Sequence, residues 1–495
     1  MHVAQALTAL RLDPASPTPL FRQLYEAVKQ SILAGHIGPG VQLPPTRELA
    51  VLLGISRQTV LNAYTHLMAE GYLSGTVGRG TFVSGHLPVE IAPENSARQA
   101  QPLRPLSSCG QRFAGLPARL NTHGDKPRAF RIGMPGIDVF PFDVWARLEA
   151  RRWRRPSFQL GYGDAAGFAP LRELLAAYLR ASRGVRCMPE QIIVTSGSQQ
   201  ALFLIASLLL APDDAAWVET PGYPGTAAVL HAVGARACPV PVDAEGLLVA
   251  AGTQAWPDAK LAYVTPSHQY PLGVTMSLQR RLELLAWAAK RRMWVVEDEY
   301  DSEYRYIGPP LASLQSLDRA GSVLYVGTLS KVLFPGLRLG YLVVPPPLID
   351  AFARGKAAID RHTAIVPQIV LADFIAEGHF SRHIKRMREV YAERRTALLE
   401  AIEAQLDDQL SLGPTDAGFH VATAFRREYD DRLIAHAAQQ QGIEVRALST
   451  FYDTTGAHAN ATPLSRSGLL LGFAAVPPRE IKEAAIGLRK VLQGQ

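Results

Sequence analysis

In LFRQLYEAVKQSIL, Leu20, Leu24, Val28 and Ile32 fall at steps of four with Leu33 beside them, which predicts a helix with one apolar face. AGHIGPG breaks it. In LPPTRELAVLLGI, Thr46 is a natural N-cap, and Leu49, Leu52 and Leu53 supply an inner face. Gly54 ends that helix. Ser56 caps the next, RQTVLNAYTHLMAEG, where Val60, Tyr64, Leu67 and Met68 turn inward. GYLSGTVGRGTFVS then reads as a two-stranded wing with Gly78, Arg79 and Gly80 at its tip.

The rhythm changes after residue 85. Residues 86–127 hold six prolines and no lasting period, which reads as a linker. A flexible chain of 42 residues spans about 35 Å root-mean-square. The alternative is an ordered strap packed on the second domain, above all at FAGLPARL. From residue 128 onward, apolar strand-like runs alternate with helical ones: QIIVTSG, AAWVETPGY, KLAYVTPSHQ, RRMWVVEDEY, SVLYVGTLSK and RLGYLVV. Short apolar strands that end in polar clusters predict an α/β domain with a mostly parallel sheet covered on both faces.

Composition narrows the setting. At 495 residues the chain exceeds one core, so two or more domains are expected. Apolar residues at 47% and charged residues at 19% are ordinary for a globular protein. No apolar run reaches the roughly 18 residues that span a bilayer, and MHVAQALTALRLD lacks the plan of a signal peptide. A cytoplasmic protein without membrane partners is expected. Cys109, Cys187 and Cys238 are widely spaced without C-x-x-C, which favours buried or inert thiols over a metal site. Residues 1–85 carry six Lys/Arg against four acids, a surplus of two. That bias is too mild to argue for nucleic acid.

Placement argues better than charge. Two short helices joined by a Gly-containing turn describe a helix-turn-helix, whose second helix offers its N-terminal residues to base edges. Arg57, Gln58, Thr59 and Asn62 lie there on the outer side. The bland alternative is a small structural domain, in which Arg47, Arg57 and Arg79 are idle surface charges. The stretch also resembles the GntR family of winged-helix regulators, through PLFRQLY, LPPTRELA, LGISRQTV, EGYL and GRGTFV over residues 19–83. The resemblance implies that Arg47 and Arg57 contact phosphate or base edges of double-stranded operator DNA. It further implies that Thr59 contacts a phosphate and that Arg79 and Gly80 enter the minor groove.

In open α/β sheets ligands sit at the carboxyl ends of the strands. The polar residues of the second domain gather at those ends, and each has a chemical task if the ligand is pyridoxal 5'-phosphate (PLP). Gly197, Ser198 and Gln199 precede an apolar helix, whose free amides and dipole suit a phosphate. Asp298 ends a buried strand, where a carboxylate needs a cation such as a pyridinium nitrogen. Tyr300 suits the ring hydroxyl, and Tyr223, after TPGYP, suits the ring face. Lys331 stands in an apolar stretch, where desolvation makes an amine nucleophilic toward an aldehyde. Arg338 suits the phosphate, with hydroxyls from Thr328 and Ser330. Singly these signals are weak, because buried lysines usually snorkel and strand-end aspartates usually cap turns.

In this order they resemble fold-type I PLP enzymes of the aminotransferase class, and specifically the MocR-type regulators, which fuse a GntR head to such a domain. The motifs include GMPGIDVFP, YGDAAGFAPLRELLAAYL, ETPGYPG, TPSHQYPLG and EDEYDSEY. The resemblance implies a winged helix over 18–85, a linker over 86–127, and a PLP-binding effector and dimerisation domain over 128–495 with large and small subdomains. It makes Lys331 the Schiff-base lysine in an internal aldimine and Asp298 the pyridinium partner. Tyr162 becomes a phosphate contact given to a second subunit of a homodimer. His268 falls near the place of an asparagine that faces the cofactor hydroxyl in ordinary aminotransferases.

The pattern fails where an arginine would clamp a substrate carboxylate. Gly225 and Thr226 follow Pro224, and LLLGFAA offers leucine around Leu470. Arg446 and Arg466 are the candidate substitutes, though surface roles explain them as well. The sequence therefore reads as a transcriptional regulator that senses an amine, an amino acid or a B6 vitamer, with at most slow transamination. A working aminotransferase with an appended head is the alternative. A third is a body that has lost its cofactor and serves only for dimerisation.

Overall fold

The computed structural model describes residues 12–76, 80–85, 104–116, 126–154, 158–308, 311–452 and 467–494. The chain divides into two compact units, Met1–Arg104 and Pro105–Gln495.

The first unit holds helices α1 (Leu20–Leu33), α2 (Thr46–Leu53) and α3 (Arg57–Ala69), with strands β1 (Gln42–Leu43), β2 (Leu73–Thr76) and β3 (Gly80–Val83). The strands form an antiparallel sheet in the order β1-β3-β2, so the two expected wing strands gain a third short one. Leu24, Val28 and Ile32 are buried as the four-residue spacing requires, against Leu49, Val60, Tyr64 and Leu67. Three inward assignments are corrected. Leu52 is 43% exposed and Leu33 and Met68 37% each, while Ala50 and Ala63 take buried positions. Val60, Ala63, Tyr64 and Leu67 follow the helical stripe of three- and four-residue steps, and Met68 falls one position past it.

Thr46 begins α2 without capping it, and its hydroxyl instead accepts from Arg57 Nε at 3.4 Å. Gly54 closes α2 in the left-handed region at φ 64°. Ser56 caps α3, its Oγ accepting from the Thr59 amide at 3.0 Å.

The second unit opens with helix α4 (Ser108–Ala114), inside the stretch expected to be an unstructured linker. Phe113 lies 6.2 Å from Phe203, and Arg112 Nε donates to the Ala232 carbonyl at 3.2 Å. An aromatic anchor and a satisfied carbonyl offset the entropy of ordering a short segment. Cys109 on this helix is exposed, unlike the buried Cys187 and Cys238.

The large sheet runs β4 (Ile192–Thr195), β11 (Gly340–Val343), β10 (Val323–Thr328), β9 (Trp294–Glu299), β8 (Leu261–Val264), β5 (Ala215–Thr220), β6 (Arg236–Asp243), β7 (Gly246–Leu247). β11 is antiparallel to both neighbours, and β7 is antiparallel to β6. The other pairs are parallel, as the buried apolar runs predict. One face packs on α5 (Ser198–Leu209) through Val296, Val326, Leu342 and Ile205, with Phe352 of the helix Ile349–Asp360 in the same cluster. The other packs through Trp217, Val264, Leu284 and Val295.

A second, antiparallel sheet has the order β12 (Leu410–Leu412), β13 (His420–Phe425), β15 (Gly468–Gly472), β14 (Arg446–Ala447). Helices α6 (His379–Leu406) and α7 (Pro478–Gln493) cover one of its faces through Leu398, Ile402, Leu469, Leu471 and Leu488. Its other face carries Ala422 and Leu470. Among the described residues no helix is long and apolar enough to cross a membrane.

Candidate cofactor site and nucleic-acid interface

The strand ends converge. Parallel alignment of β5, β8, β9 and β10 places the segments that come after them on one edge of the sheet, and β4 delivers Gly197 and Ser198 beside them. Strand alternation then sorts the side chains of β9. Asp298 shares a face with Val296, whereas Glu297 and Glu299 point to the other.

Asp298 is buried, and Tyr263 from the adjacent strand donates to its Oδ2 at 2.8 Å. Its Oδ1 is also buried and has no partner. Burial pushes the carboxyl up to about 7, and the Tyr263 hydrogen bond opposes the shift. Such a group needs a cation. Lys331 Nζ donates to the Gly133 carbonyl, and burial lowers its pKa while Asp301 and Asp298 pull the other way. A lysine with a weakened hold on its proton is a nucleophile in waiting.

The phosphate end is built from backbone. α5 starts at Ser198 with no side-chain cap, which leaves its first amides for an anion. Gly197 sits at φ 113°, and a Cβ there would lie 3.4 Å from Arg338 Nη2. Arg338 itself adopts φ 51°. The loop between Lys331 and Arg338 is closed by the Leu329 amide on the Leu339 carbonyl at 3.0 Å, which returns Arg338 toward Lys331. Ser330 Oγ is buried without a partner, and Thr328 Oγ1 accepts from the Ser330 amide at 3.3 Å. Gln199 is tied by its side chain to the Gly225 carbonyl and the Tyr223 hydroxyl.

The aromatic residues form a connected group. Tyr300 Oη lies 2.9 Å from His268 Nδ1, and Asp301 Oδ2 lies 3.0 Å from the same nitrogen. His268 is thus engaged by two neighbours, while its Nε2 is buried without a partner. Tyr270 packs edge-on to Tyr223 and to Tyr300, with ring centroids 5.8 Å apart in both cases. Tyr263, Tyr270, Asp301 and Gly133 were missed in the sequence. Asp301 was within reach there, since it stands inside EDEYDSEY. The others depend on strand register and chain crossing, which leave no local signal.

Tyr162 is not brought to this site within the chain. It is 85% exposed, with the Arg361 guanidinium 4.7 Å from its ring centroid. Arg446 is exposed on β14, and Arg466 lies outside the described residues. Among the described residues no cluster of His, Cys, Asp and Glu is arranged for a metal ion.

On the first unit, Arg47, Arg57 and Gln58 are exposed and Thr59 is half-buried. The Thr59 hydroxyl is 2.8 Å from Ser56 Oγ, and Gln58 Nε2 donates to Asn62 Oδ1 at 2.9 Å. Gly80 begins β3 and is exposed; Arg79 lies outside the described residues.

Residues 20–83 match the family described as bacterial regulatory proteins, gntR family, and residues 139–485 match aminotransferase class I and II. The chain is 41% identical to the probable rhizopine catabolism regulatory protein MocR of Rhizobium meliloti, over 97% of this chain and 95% of that protein. The chain belongs to the MocR-type regulators. A second MocR-type relative, the pyridoxine biosynthesis transcriptional regulator PdxR of Corynebacterium glutamicum, is 31% identical over 94% of each chain. Among solved structures, the kynurenine aminotransferase of Pyrococcus horikoshii in complex with PMP matches with a TM-score of 0.67 and 29% identity. That match covers 74% of this chain and 90% of the other.

The coenzyme of this MocR-type chain is pyridoxal 5'-phosphate. The residues present fit it: a buried carboxylate with one unpartnered oxygen for the ring nitrogen, an amine for the aldehyde, and a glycine-arginine cradle at a helix start for the phosphate.

Proposed function

We propose that this transcriptional regulator senses an amine, an amino acid or a B6 vitamer through a reversible carbon-nitrogen bond at Lys331, and transmits the change to DNA-reading heads in a homodimer. The observation that carries the reading is a buried lysine, Lys331, within the electrostatic reach of Asp298, whose Oδ1 is buried without a partner. When bound, the coenzyme supplies an aldehyde that exchanges one amine for another. Asp298 would hold a positive charge on the ring nitrogen, and the Tyr263 hydrogen bond favours its ionised form against the effect of burial. Gly197, Ser198, Ser330 and Arg338 hold the phosphate, and Tyr223 covers the ring.

On the DNA side, Arg57, Gln58 and Thr59 begin the recognition helix α3, Arg47 lies in the first turn of α2 and Gly80 begins the wing strand β3; the sequence adds Arg79 next to Gly80. Arginine reads guanine bidentately, and helix N-termini favour phosphate. Paired heads of this kind read half-sites about 34 Å apart, so a change in head spacing changes affinity.

Replacement of Lys331 by alanine tests the reading. The purified variant should lose the absorption band at about 420 nm expected of lysine-bound coenzyme while keeping its thermal transition. An unchanged spectrum removes Lys331 from the mechanism.

A further inference from the structure

A second lysine is buried outside the cofactor site. Lys356, in the helix Ile349–Asp360, is fully buried, and its Nζ donates to Asp360 Oδ1 one turn on at 2.5 Å. Burial lowers its pKa, and Asp360 opposes that shift. Gly355 lets this helix lie close to α5, because a Cβ there would stand 3.1 Å from Leu208 and 3.2 Å from Leu204. The ion pair thus sits alongside the helix whose start forms the phosphate cradle.

A line of hydrogen bonds runs from the pair to that cradle. Asp360 Oδ2 accepts from Gln200 Nε2 at 2.8 Å, and Gln200 Oε1 accepts from the Ser196 amide at 2.8 Å. Ser196 immediately precedes Gly197 and Ser198. Each link admits one direction. An ammonium and a backbone amide donate and an ionised carboxylate accepts, so one orientation of the Gln200 side-chain amide satisfies both of its neighbours. The chain just beyond this helix is tied down as well, by Thr363 Oγ1 donating to the Val194 carbonyl of β4 at 3.2 Å.

Charge explains why the carboxylate is paired. A phosphate monoester carries about two negative charges at neutral pH. Asp360 stands one glutamine side chain from the amide that leads into the cradle, where an uncompensated carboxylate would repel that anion. Among the described residues its ion pair is with Lys356, and the neighbouring Arg361 guanidinium lies over the Tyr162 ring instead.

Resting on the reading that Gly197, Ser198 and Arg338 hold the coenzyme phosphate, we infer that Lys356 and Asp360 are positioning residues for it. Asp360 orients Gln200 and through it the turn at residues 196–198, and Lys356 cancels the charge that would oppose the phosphate. The pair acts on the phosphorylated end of a B6 vitamer and so sets how strongly the protein prefers PLP to pyridoxal.

The test titrates full-length coenzyme-free protein with PLP and, separately, with pyridoxal, and records thermal melting in parallel. Lys356→Met leaves the carboxylate without its partner. PLP affinity should fall about tenfold, the weight of one charge at short range when Asp360 keeps 28% exposure, and pyridoxal affinity should not change. The double variant Lys356→Met with Asp360→Asn removes both charges and keeps an acceptor for Gln200. It should return PLP affinity to within about threefold of wild type, a recovery that a merely structural ion pair would not give.

Unaltered PLP affinity in Lys356→Met, equal losses for PLP and pyridoxal, or a double variant no better than the single one overturns the inference. Unmodified protein that binds PLP no more tightly than pyridoxal sinks the underlying phosphate reading, a result distinct from the other three. Gln200→Leu alters no charge and covers the case in which Lys356→Met fails to fold. It should cost PLP about tenfold and leave pyridoxal unchanged, and an unaltered PLP affinity there also overturns the inference.

Discussion

Tyr263 donates to one oxygen of Asp298 at 2.8 Å and leaves the other buried and unpaired. The pair holds an ionisable group ready for a positive charge that the protein itself does not supply. Replacement of Asp298 by asparagine removes that charge partner. PLP retention should fall about 10- to 100-fold, the worth of a hydrogen bond to a charged group. Equilibrium dialysis with PLP checks this, and wild-type retention in Asp298→Asn would exclude the role.

The same carboxyl makes the coenzyme-free protein sensitive to pH. Its folded pKa of about 7 lies above the ordinary 3.8, so the folded state binds the proton more tightly than the unfolded chain. Ionisation therefore destabilises the fold: the contribution is fully present below the unfolded value and lost as pH rises toward 7. The gap in Tm between wild type and Asp298→Asn should shift against wild type across that window. A constant gap would mean that Asp298 does not titrate there.

Tyr263→Phe tests the supporting donor. It leaves both Asp298 oxygens without a protein partner and should cost about 1–3 kcal/mol in urea unfolding of the coenzyme-free protein. Bound PLP should recover part of the loss, because the ring cation replaces the missing donor.

Gly197→Ala places a Cβ at φ 113° and against the Arg338 guanidinium. Strain of about 1–3 kcal/mol is expected. Binding of PLP should weaken, whereas pyridoxal, which lacks the phosphate, should bind as before. Equal weakening of both would show that Gly197 serves the fold rather than the phosphate.

In the head, Arg57→Ala should weaken binding to the operator by about 1–3 kcal/mol if the guanidinium makes a bidentate base contact. Ser56→Ala should instead lower stability by about 1 kcal/mol through the lost cap. Operator binding and thermal melting separate the two effects, and a Ser56→Ala head that melts normally would show the cap to be idle.

Much of this molecule was written locally. The steps of four in Leu24, Val28 and Ile32, the cap at Ser56 and the stop at Gly54 depend on neighbours within a few residues, so the recognition helix was legible from its letters. The six apolar runs that became β4, β5, β8, β9, β10 and β11 were legible for the same reason. The order of Gly197, Asp298, Lys331 and Arg338 pointed to the coenzyme chemistry through its resemblance to fold-type I PLP enzymes, since each residue alone has commoner uses. Strand β6 and, apart from LLLGFAA as a last strand, the second sheet went unread, since their segments lack a distinctive period.

What the tertiary structure decided depends on register and chain crossing. Tyr263 and Asp298 are 35 positions apart in sequence, with no local hint that adjacent parallel strands will set the hydroxyl 2.8 Å from the carboxylate. Nothing local foretells that Gly133 meets Lys331, or that the stretch after Pro105 forms a helix packed on the body. Secondary structure comes from short-range spacing, but a site assembled across a whole sheet depends on which strands lie side by side, and that is settled only when the sheet buries its two faces.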